Sequence, residues 1–144
     1  EYDWAPRSAQ RIVNYVKGLG VDPKQLVIGG AFYGRAWKGV SSANNGLYQP
    51  NKGVHTGWLD YGSIRKDYED KNGFTRHWDS IALAPYLFNP ADSIFISYDD
   101  PESVALKTDY VQEEGLGGIM FWQLSNDTRE AGSLLDAIWA AAQD

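Results

Sequence analysis

The stretch from Leu26 to Trp37 constrains the fold more than any other part of the chain, and it reads LVIGGAFYGRAW. It begins as a wholly apolar run, which is typical of a strand covered on both faces in a parallel sheet. It ends with a phenol, a guanidinium and an indole at alternate positions, Tyr33, Arg35 and Trp37. Because side chains alternate along a strand, we expect these three on one face with the small residues of the run. Small residues inside and ligand-type groups at the C-terminal end indicate an active-site strand of an α/β barrel.

Helical periodicity precedes this strand and returns near the end of the chain. Apolar residues recur at helical spacing between Ser8, a suitable N-cap, and Gly20, a suitable residue just past a helix end. Asp100-Pro101 predicts the start of a second helix, and Gly117–Trp122 predicts a second buried strand. A last helix is expected to bury one stripe made of Leu134, Leu135, Ile138, Trp139 and Ala142. Alternating helices and strands are typical of an α/β fold.

The segment between these two parts has a different pattern. From about Val40 to Tyr98, short strands are separated by turn residues, which indicates an antiparallel sheet. The predicted fold class is therefore α/β with an α+β insertion. The predicted division is 8–39 with 99–144 for the α/β part, 40–98 for the insertion, and 1–7 for a lead-in that includes Tyr2-Asp3 as linker.

Composition argues against several classes of function. A net charge of −6 disfavours nucleic-acid binding, because no basic stripe is available to neutralise phosphates. No window approaches the ~18 apolar residues of a membrane span, so no membrane partner is expected. The chain has no cysteine, and its only histidines, His55 and His77, lack ligand spacing, so neither a metal nor a cofactor is predicted. Six Trp, nine Tyr and five Phe leave two readings open, packing of large residues or stacking on sugar rings.

Four segments, in this order, resemble glycoside hydrolase family 18, the chitinase family. They are LVIGGAFYGRAW at 26–37, APY at 84–86, ISYDDPESV at 96–104 and LGGIMFWQLSND at 116–127. The resemblance implies a (β/α)8 TIM barrel, of which this chain holds strands seven and eight with their helices. It also implies that the insertion is the small antiparallel-sheet subdomain that deepens the substrate cleft in many chitinases.

The resemblance implies substrate-assisted, retaining hydrolysis of β-1,4-linked N-acetylglucosamine glycans. In the family, a glutamic acid in a D-x-x-D-x-D-x-E signature on the fourth strand protonates the glycosidic oxygen, and the acetamido oxygen of the substrate attacks the anomeric carbon. No such signature occurs in the 144 residues. We therefore expect the C-terminal fragment of a chitinase-type hydrolase, with no catalytic residue of its own and no activity alone.

The matching positions imply that Trp122 forms the floor of the subsite for the acetylated sugar, and that Tyr33 and Arg35 bind substrate. Further candidate positions are Trp37, Gln123 and His55. Alternatives stay open, because Trp122 could be a core tryptophan, Arg35 could pair with a carboxylate such as Asp99, and Trp37 could serve in packing. Many relatives carry Trp-Glu before a G-x-x-D-Y segment, whereas here Gly57–Tyr61 follows Val54-His55-Thr56, which predicts the loss of one stacking ring.

The expected partner is an N-acetylglucosamine-containing polysaccharide, and the family implies a secreted or cell-surface protein. A non-catalytic, chitin-binding lectin fragment is the alternative function, and it differs only in whether the strand-four glutamate exists upstream. An interaction domain whose aromatic residues only pack is a third possibility. A barrel cut before strand seven would leave open strand edges and an apolar interior face, which predicts self-association.

Overall fold

The computed structural model describes residues 8–143, so the lead-in and Tyr2-Asp3 lie outside the described residues. The strands are β1 (Val27–Ala31), β2 (Tyr33–Lys38), β3 (Val54–Asp60), β4 (Thr75–Asp79), β5 (Ala84–Asn89), β6 (Ile94–Ser97) and β7 (Gly118–Trp122). The helices are α1 (Ala9–Gly18), α2 (Tyr61–Ser63, continued by a π-helical turn over Ile64–Tyr68), α3 (Pro101–Glu113) and α4 (Leu134–Ala141).

The strands form two sheets of different architecture. β1 and β7 pair in parallel, with Ala31 opposite Trp122. The other five strands form an antiparallel sheet in the order β3-β2-β6-β5-β4. This arrangement agrees with the predicted combination of an α/β part and an antiparallel insertion.

Among the described residues, two of the three hydrophobic clusters pack helices against the sheets. Val13 of α1, Ile28 of β1 and Val111 of α3 form a small core on one face of the parallel pair. A larger core joins the antiparallel sheet to α2, α3 and α4. Its fully buried members include Phe32, Ala36, Tyr61, Ile64, Leu87, Ile96, Val104 and Leu134.

The single strand expected from Leu26 to Trp37 is two strands in two sheets, so that prediction is wrong. β1 ends at Ala31, and β2 begins at Tyr33 as a member of the antiparallel sheet. The antiparallel sheet therefore begins before position 40, while the division into 8–39, 40–98 and 99–144 stays a prediction. The alternation of faces nevertheless continues through the junction. The buried positions are Ile28, Gly30, Phe32, Gly34 and Ala36.

Phe32 is the physical reason for the switch between sheets. Its backbone N–H donates to the carbonyl of Trp122 at 2.9 Å, and its carbonyl accepts from the N–H of Tyr61 at 3.2 Å. Its ring is fully buried and stacks on Phe121, with centroids 4.8 Å apart. One residue therefore satisfies its backbone groups in two directions and fixes the antiparallel sheet against the end of β7.

The predicted helix starts are confirmed by their caps. The Ser8 hydroxyl accepts from the N–H of Arg11 at the start of α1. Asp100 and Ser103 form a reciprocal capping box at the start of α3, with Pro101 as its first residue. Such local side-chain bonds satisfy backbone donors that have no partner inside the helix.

The last helix differs from its prediction, because Trp139 is 67% exposed. The buried residues of α4 are Leu134, Ile138 and Ala141, which lie four and seven positions from the first. Trp139 lies five positions from Leu134, about 140° around the helix at 3.6 residues per turn. The apolar stripe is therefore narrower than the run of large residues suggests.

Two buried tyrosines predict a loss of stability at alkaline pH. Burial raises the pKa of both Tyr61 and Tyr98 above the ordinary tyrosine value, and the nearby carboxylates of Glu69 and Asp100 act in the same direction. As pH rises, the unfolded chain therefore releases these protons first. The stability linked to the neutral phenols is complete below about pH 10 and is lost above it.

Phenylalanine substitutions separate the titration of these hydroxyls from their hydrogen bonds. The Tyr61 hydroxyl donates to the Gly132 carbonyl at 2.8 Å, whereas the buried Tyr98 hydroxyl has no hydrogen-bond partner among the described residues. In urea at about pH 7, we expect Tyr61→Phe to lower the free energy of unfolding by about 1 kcal/mol, and Tyr98→Phe to leave it unchanged or raise it. Both variants should lose less stability than the parent at about pH 11. Equal losses for the two variants at neutral pH would contradict the assignment.

Candidate functional site

Trp122 ends β7 with its indole in the open. Its side chain is 59% exposed, and Met120, two residues earlier on the same face, is exposed as well. Ile119 and Phe121 point the other way and pack against the cores. The predicted alternation along this strand is therefore confirmed, and the exposure of Trp122 does not fit the alternative of a core tryptophan.

The next residue, Gln123, is exposed and joined to Trp122 by a cis peptide bond. The side-chain Nε2 of Gln123 donates to Asn126 Oδ1 at 3.4 Å, so its side-chain oxygen Oε1 can still accept a hydrogen bond. A neutral amide at this place can bind a polar ligand, but it cannot donate an ionisable proton.

Tyr33 begins β2 directly after the junction at Phe32, on the face that continues from Ala31. Its ring lies almost parallel to that of Trp58 on β3, with centroids 4.0 Å apart and planes 14° from parallel. Trp58 is 43% exposed. Sequence analysis missed Trp58, which lies just after the place where a stacking ring was expected to be lost. The available signal was a tryptophan in one of the short strands predicted for the insertion.

Arg35 lies two residues further along β2 and is exposed. Its guanidinium makes no hydrogen bond or ion pair with any residue in the described range 8–143, while its backbone pairs with Ser97 of β6. The suggested partner Asp99 is buried and already occupied, because its carboxylate accepts from Lys107 Nζ at 2.6 Å and from the N–H of Ala31 at 3.1 Å. The guanidinium is thus available to donate to a ligand.

The other two candidates differ in their surroundings. Trp37 is half-buried and tilts against Phe95 with centroids 6.2 Å apart, in a small aromatic cluster with Tyr86 and Phe88. This favours the packing alternative for Trp37. His55 is exposed on β3, which is an edge strand of the antiparallel sheet.

We call the surface that carries Trp122, Tyr33, Arg35 and Trp58 the site face. Ala31 pairs with Trp122 across the parallel sheet, and Tyr33 follows Ala31 by two residues, a chain distance of no more than about 7 Å. The site face therefore combines indole and phenol rings with a guanidinium, which is a binding chemistry. Among the described residues, no group of three or more His, Cys, Asp or Glu side chains could hold a metal ion, and no helix is long and apolar enough to cross a membrane.

Comparisons with known proteins agree with this fold. The sequence pattern of Glycosyl hydrolases family 18 matches residues 2–127. Chitinase A1 of Niallia circulans is 46% identical over 114 residues, which cover 75% of this chain and 16% of that protein. A glycoside hydrolase family 18 N-acetylglucosaminidase from Paenibacillus barengoltzii superposes with a TM-score of 0.85 at 43% identity, over 94% of this chain and 39% of that one.

A chitinase-like agglutinin from Robinia pseudoacacia has the same fold, with a TM-score of 0.80 at 27% identity over 99% of this chain and 39% of that one. The chain spans less than half the length of each of these three relatives. Because the family pattern covers most of its residues, the chain belongs to glycosyl hydrolase family 18.

Proposed function

We propose that this chain is the C-terminal part of a chitinase-type hydrolase that cleaves β-1,4-linked N-acetylglucosamine glycans by substrate-assisted, retaining hydrolysis. In this proposal β1 and β7 are strands seven and eight of a (β/α)8 barrel, and the antiparallel sheet is the insertion beside its cleft. The observation that carries the proposal is the exposed indole of Trp122 at the C-terminal end of β7, next to the site-face residues of β2. C-terminal strand ends are where barrel enzymes bind substrate.

Trp122, Tyr33 and Arg35 are the proposed substrate-binding residues. An indole stacks on the apolar face of a pyranose, and the guanidinium donates to hydroxyl or carbonyl oxygens. Gln123 and His55 are proposed to supply further polar contacts, with Trp37 supporting the sheet behind them. A secreted or cell-surface location is part of the same proposal.

Glycan binding tests these assignments directly. We expect the chain to bind an N-acetylglucosamine tetramer in preference to a glucose tetramer, measured by tryptophan fluorescence. Trp122→Ala should weaken this binding roughly 3- to 10-fold, because it removes the stacking ring. Trp139→Ala is the matched control, since it removes another exposed indole from the distant helix α4. Equal affinity for all three proteins would support an aromatic surface that serves only in packing.

The chain alone is expected to have no hydrolytic activity, because its 144 residues lack the D-x-x-D-x-D-x-E signature. The measurement is release of the fluorophore from a fluorogenic chitobioside. The chain is purified from a host strain that makes no chitinase, so that a contaminating enzyme is excluded. Turnover that follows the chain through purification would overturn this expectation.

A lectin-like function is the second candidate, and the likeness to a chitinase-like agglutinin favours it. Both functions use the same site face, so they differ only in whether the parent gene encodes the strand-four glutamate. The upstream sequence decides between them.

The exposed apolar face of the parallel pair supports a further part of the proposal. Val27, Met120 and Trp122 are each more than half exposed. In the proposed barrel, six other strands would close around this face. Without them, an open sheet edge and an apolar surface favour contact with another copy, and self-association of the chain stays a prediction.

A further inference from the structure

We infer that Trp58, and not Tyr33, presents the ring that stacks on a pyranose at the β2–β3 end of the site face, with Tyr33 as the positioning residue that supports it. This inference rests on the proposed function, because it names a second sugar-stacking residue of the same glycan site. The expected ligand is a unit of an N-acetylglucosamine oligomer next to the one that contacts Trp122.

The geometry of the two rings carries this assignment. With centroids 4.0 Å apart and planes 14° from parallel, the indole of Trp58 covers one face of the Tyr33 phenol. That face of Tyr33 is therefore closed to a sugar. Because Trp58 is 43% exposed, we take its indole as the ring of the stacked pair that faces solvent.

The backbone pairing and the side-chain contacts of β3 hold Trp58 in this place. Asp60 pairs with Tyr33 and Leu59 pairs with Gly34, and the register then shifts by a bulge before Thr56 pairs with Ala36. Leu59 packs against the main core, so its neighbour Trp58 is directed away from it. The Thr56 hydroxyl also donates to the Trp58 carbonyl at 3.2 Å, which fixes the backbone at the bulge.

Space is available in front of the indole. At 43% exposed, the Trp58 side chain keeps a large part of its surface open to solvent. Trp58 is thus a supported ring beside open space, which is the arrangement that a stacking platform needs. The N–H of Phe32, the residue before Tyr33, donates to the Trp122 carbonyl, so the two parts of the site face are joined at this point.

Indole resonances of the ¹⁵N-labelled chain test this inference without any substitution. On addition of an N-acetylglucosamine tetramer, we expect the side-chain N–H signals of Trp58 and Trp122 to shift over the same range of tetramer concentration. The signal of Trp139 should keep its position. A shift of Trp122 alone would overturn the role of Trp58 and leave the proposed function standing. No shift of either signal would count against the proposed function itself.

A double-mutant cycle then tests whether Trp58 and Tyr33 act as one platform. Trp58→Ala and Tyr33→Ala should each weaken binding roughly 3- to 10-fold, and the double variant should be no weaker than either single one, because both remove the same platform. Tyr33→Phe keeps the ring that supports Trp58, so it should weaken binding less than Tyr33→Ala does. Additive losses would show that the two rings act independently, and tighter binding by Trp58→Ala would make Tyr33 the stacking ring; either result would overturn the inference. Trp139→Ala again serves as the control, and circular dichroism verifies that each variant is folded.

Discussion

Replacing Phe32 by alanine is expected to lower the free energy of unfolding by about 3–5 kcal/mol. The Phe32 ring is fully buried and stacks on Phe121 with planes 11° from parallel, so its removal leaves a cavity between the two sheets. A loss of this size is a large part of the stability of an ordinary domain. Urea denaturation of the purified chain measures it.

Phe32→Leu is the matched variant, because it keeps most of the apolar volume and removes the ring. We expect it to cost less than half as much as Phe32→Ala. If both variants lose less than about 1 kcal/mol, the junction does not depend on this side chain. The near-ultraviolet circular dichroism of the tryptophans provides a second readout, since the backbone of Phe32 contacts that of Trp122.

The second large effect is expected from Gly34→Ala, in the middle of the Tyr33–Arg35 segment. A β-carbon on Gly34 would lie 2.7 Å from Ile64 Cδ1 and 2.9 Å from the carbonyl oxygen of Ser97. The Ser97 oxygen belongs to the backbone of the neighbouring strand β6, so it cannot move without disturbing the β2–β6 pairing. We expect a loss of about 1–3 kcal/mol in the free energy of unfolding.

Gly57→Ala provides the control for this prediction. A β-carbon there meets no atom within 4 Å, and the backbone is not in the left-handed region. The same chemical change should therefore be neutral or stabilise the chain by about 0.4–1 kcal/mol, because alanine restricts the unfolded state. Similar effects for Gly34→Ala and Gly57→Ala in urea denaturation would contradict the close packing around Gly34.

The parts of the fold that depend on local chemistry could be predicted from the sequence. Ser8 and Asp100 cap their helices with their own side chains, and this signal needs no knowledge of tertiary structure. The antiparallel strands were also indicated by the turn residues between them. In each case the information lies within a few residues of the feature.

The junction at Phe32 could not be predicted in this way. Buried and exposed residues alternate without a break from Ile28 to Ala36, so periodicity cannot distinguish one strand from two. The change of sheet depends on hydrogen bonds to Trp122 and Tyr61, which are 90 and 29 positions away along the sequence. Trp58 was missed for a related reason, because its stacking partner Tyr33 lies 25 positions away along the sequence.

The exposure of Trp139 is a third feature that could not be predicted from the sequence. Large apolar residues at nearly helical spacing suggest a wide stripe, but only three positions of α4 are buried. For the site, the alternation expected along the strand of Trp122 is confirmed, whereas Tyr33 and Arg35, expected on the same strand as Val27, lie on β2 in the other sheet. The sequence did not indicate that one face of the Tyr33 ring is covered by Trp58.

The double attachment of Phe32 has a consequence for the rate of ligand binding. Its N–H donates to the Trp122 carbonyl at the end of β7, and its carbonyl accepts from the N–H of Tyr61 just after β3, so β2 and β3 are both anchored beside the site face. Under the proposed function, a sugar chain is expected to meet a surface that is already formed, without the slow gating motion that limits enzymes with lids. Association should accordingly be a single exponential whose rate rises linearly with glycan concentration, without the plateau that a preceding opening step would impose.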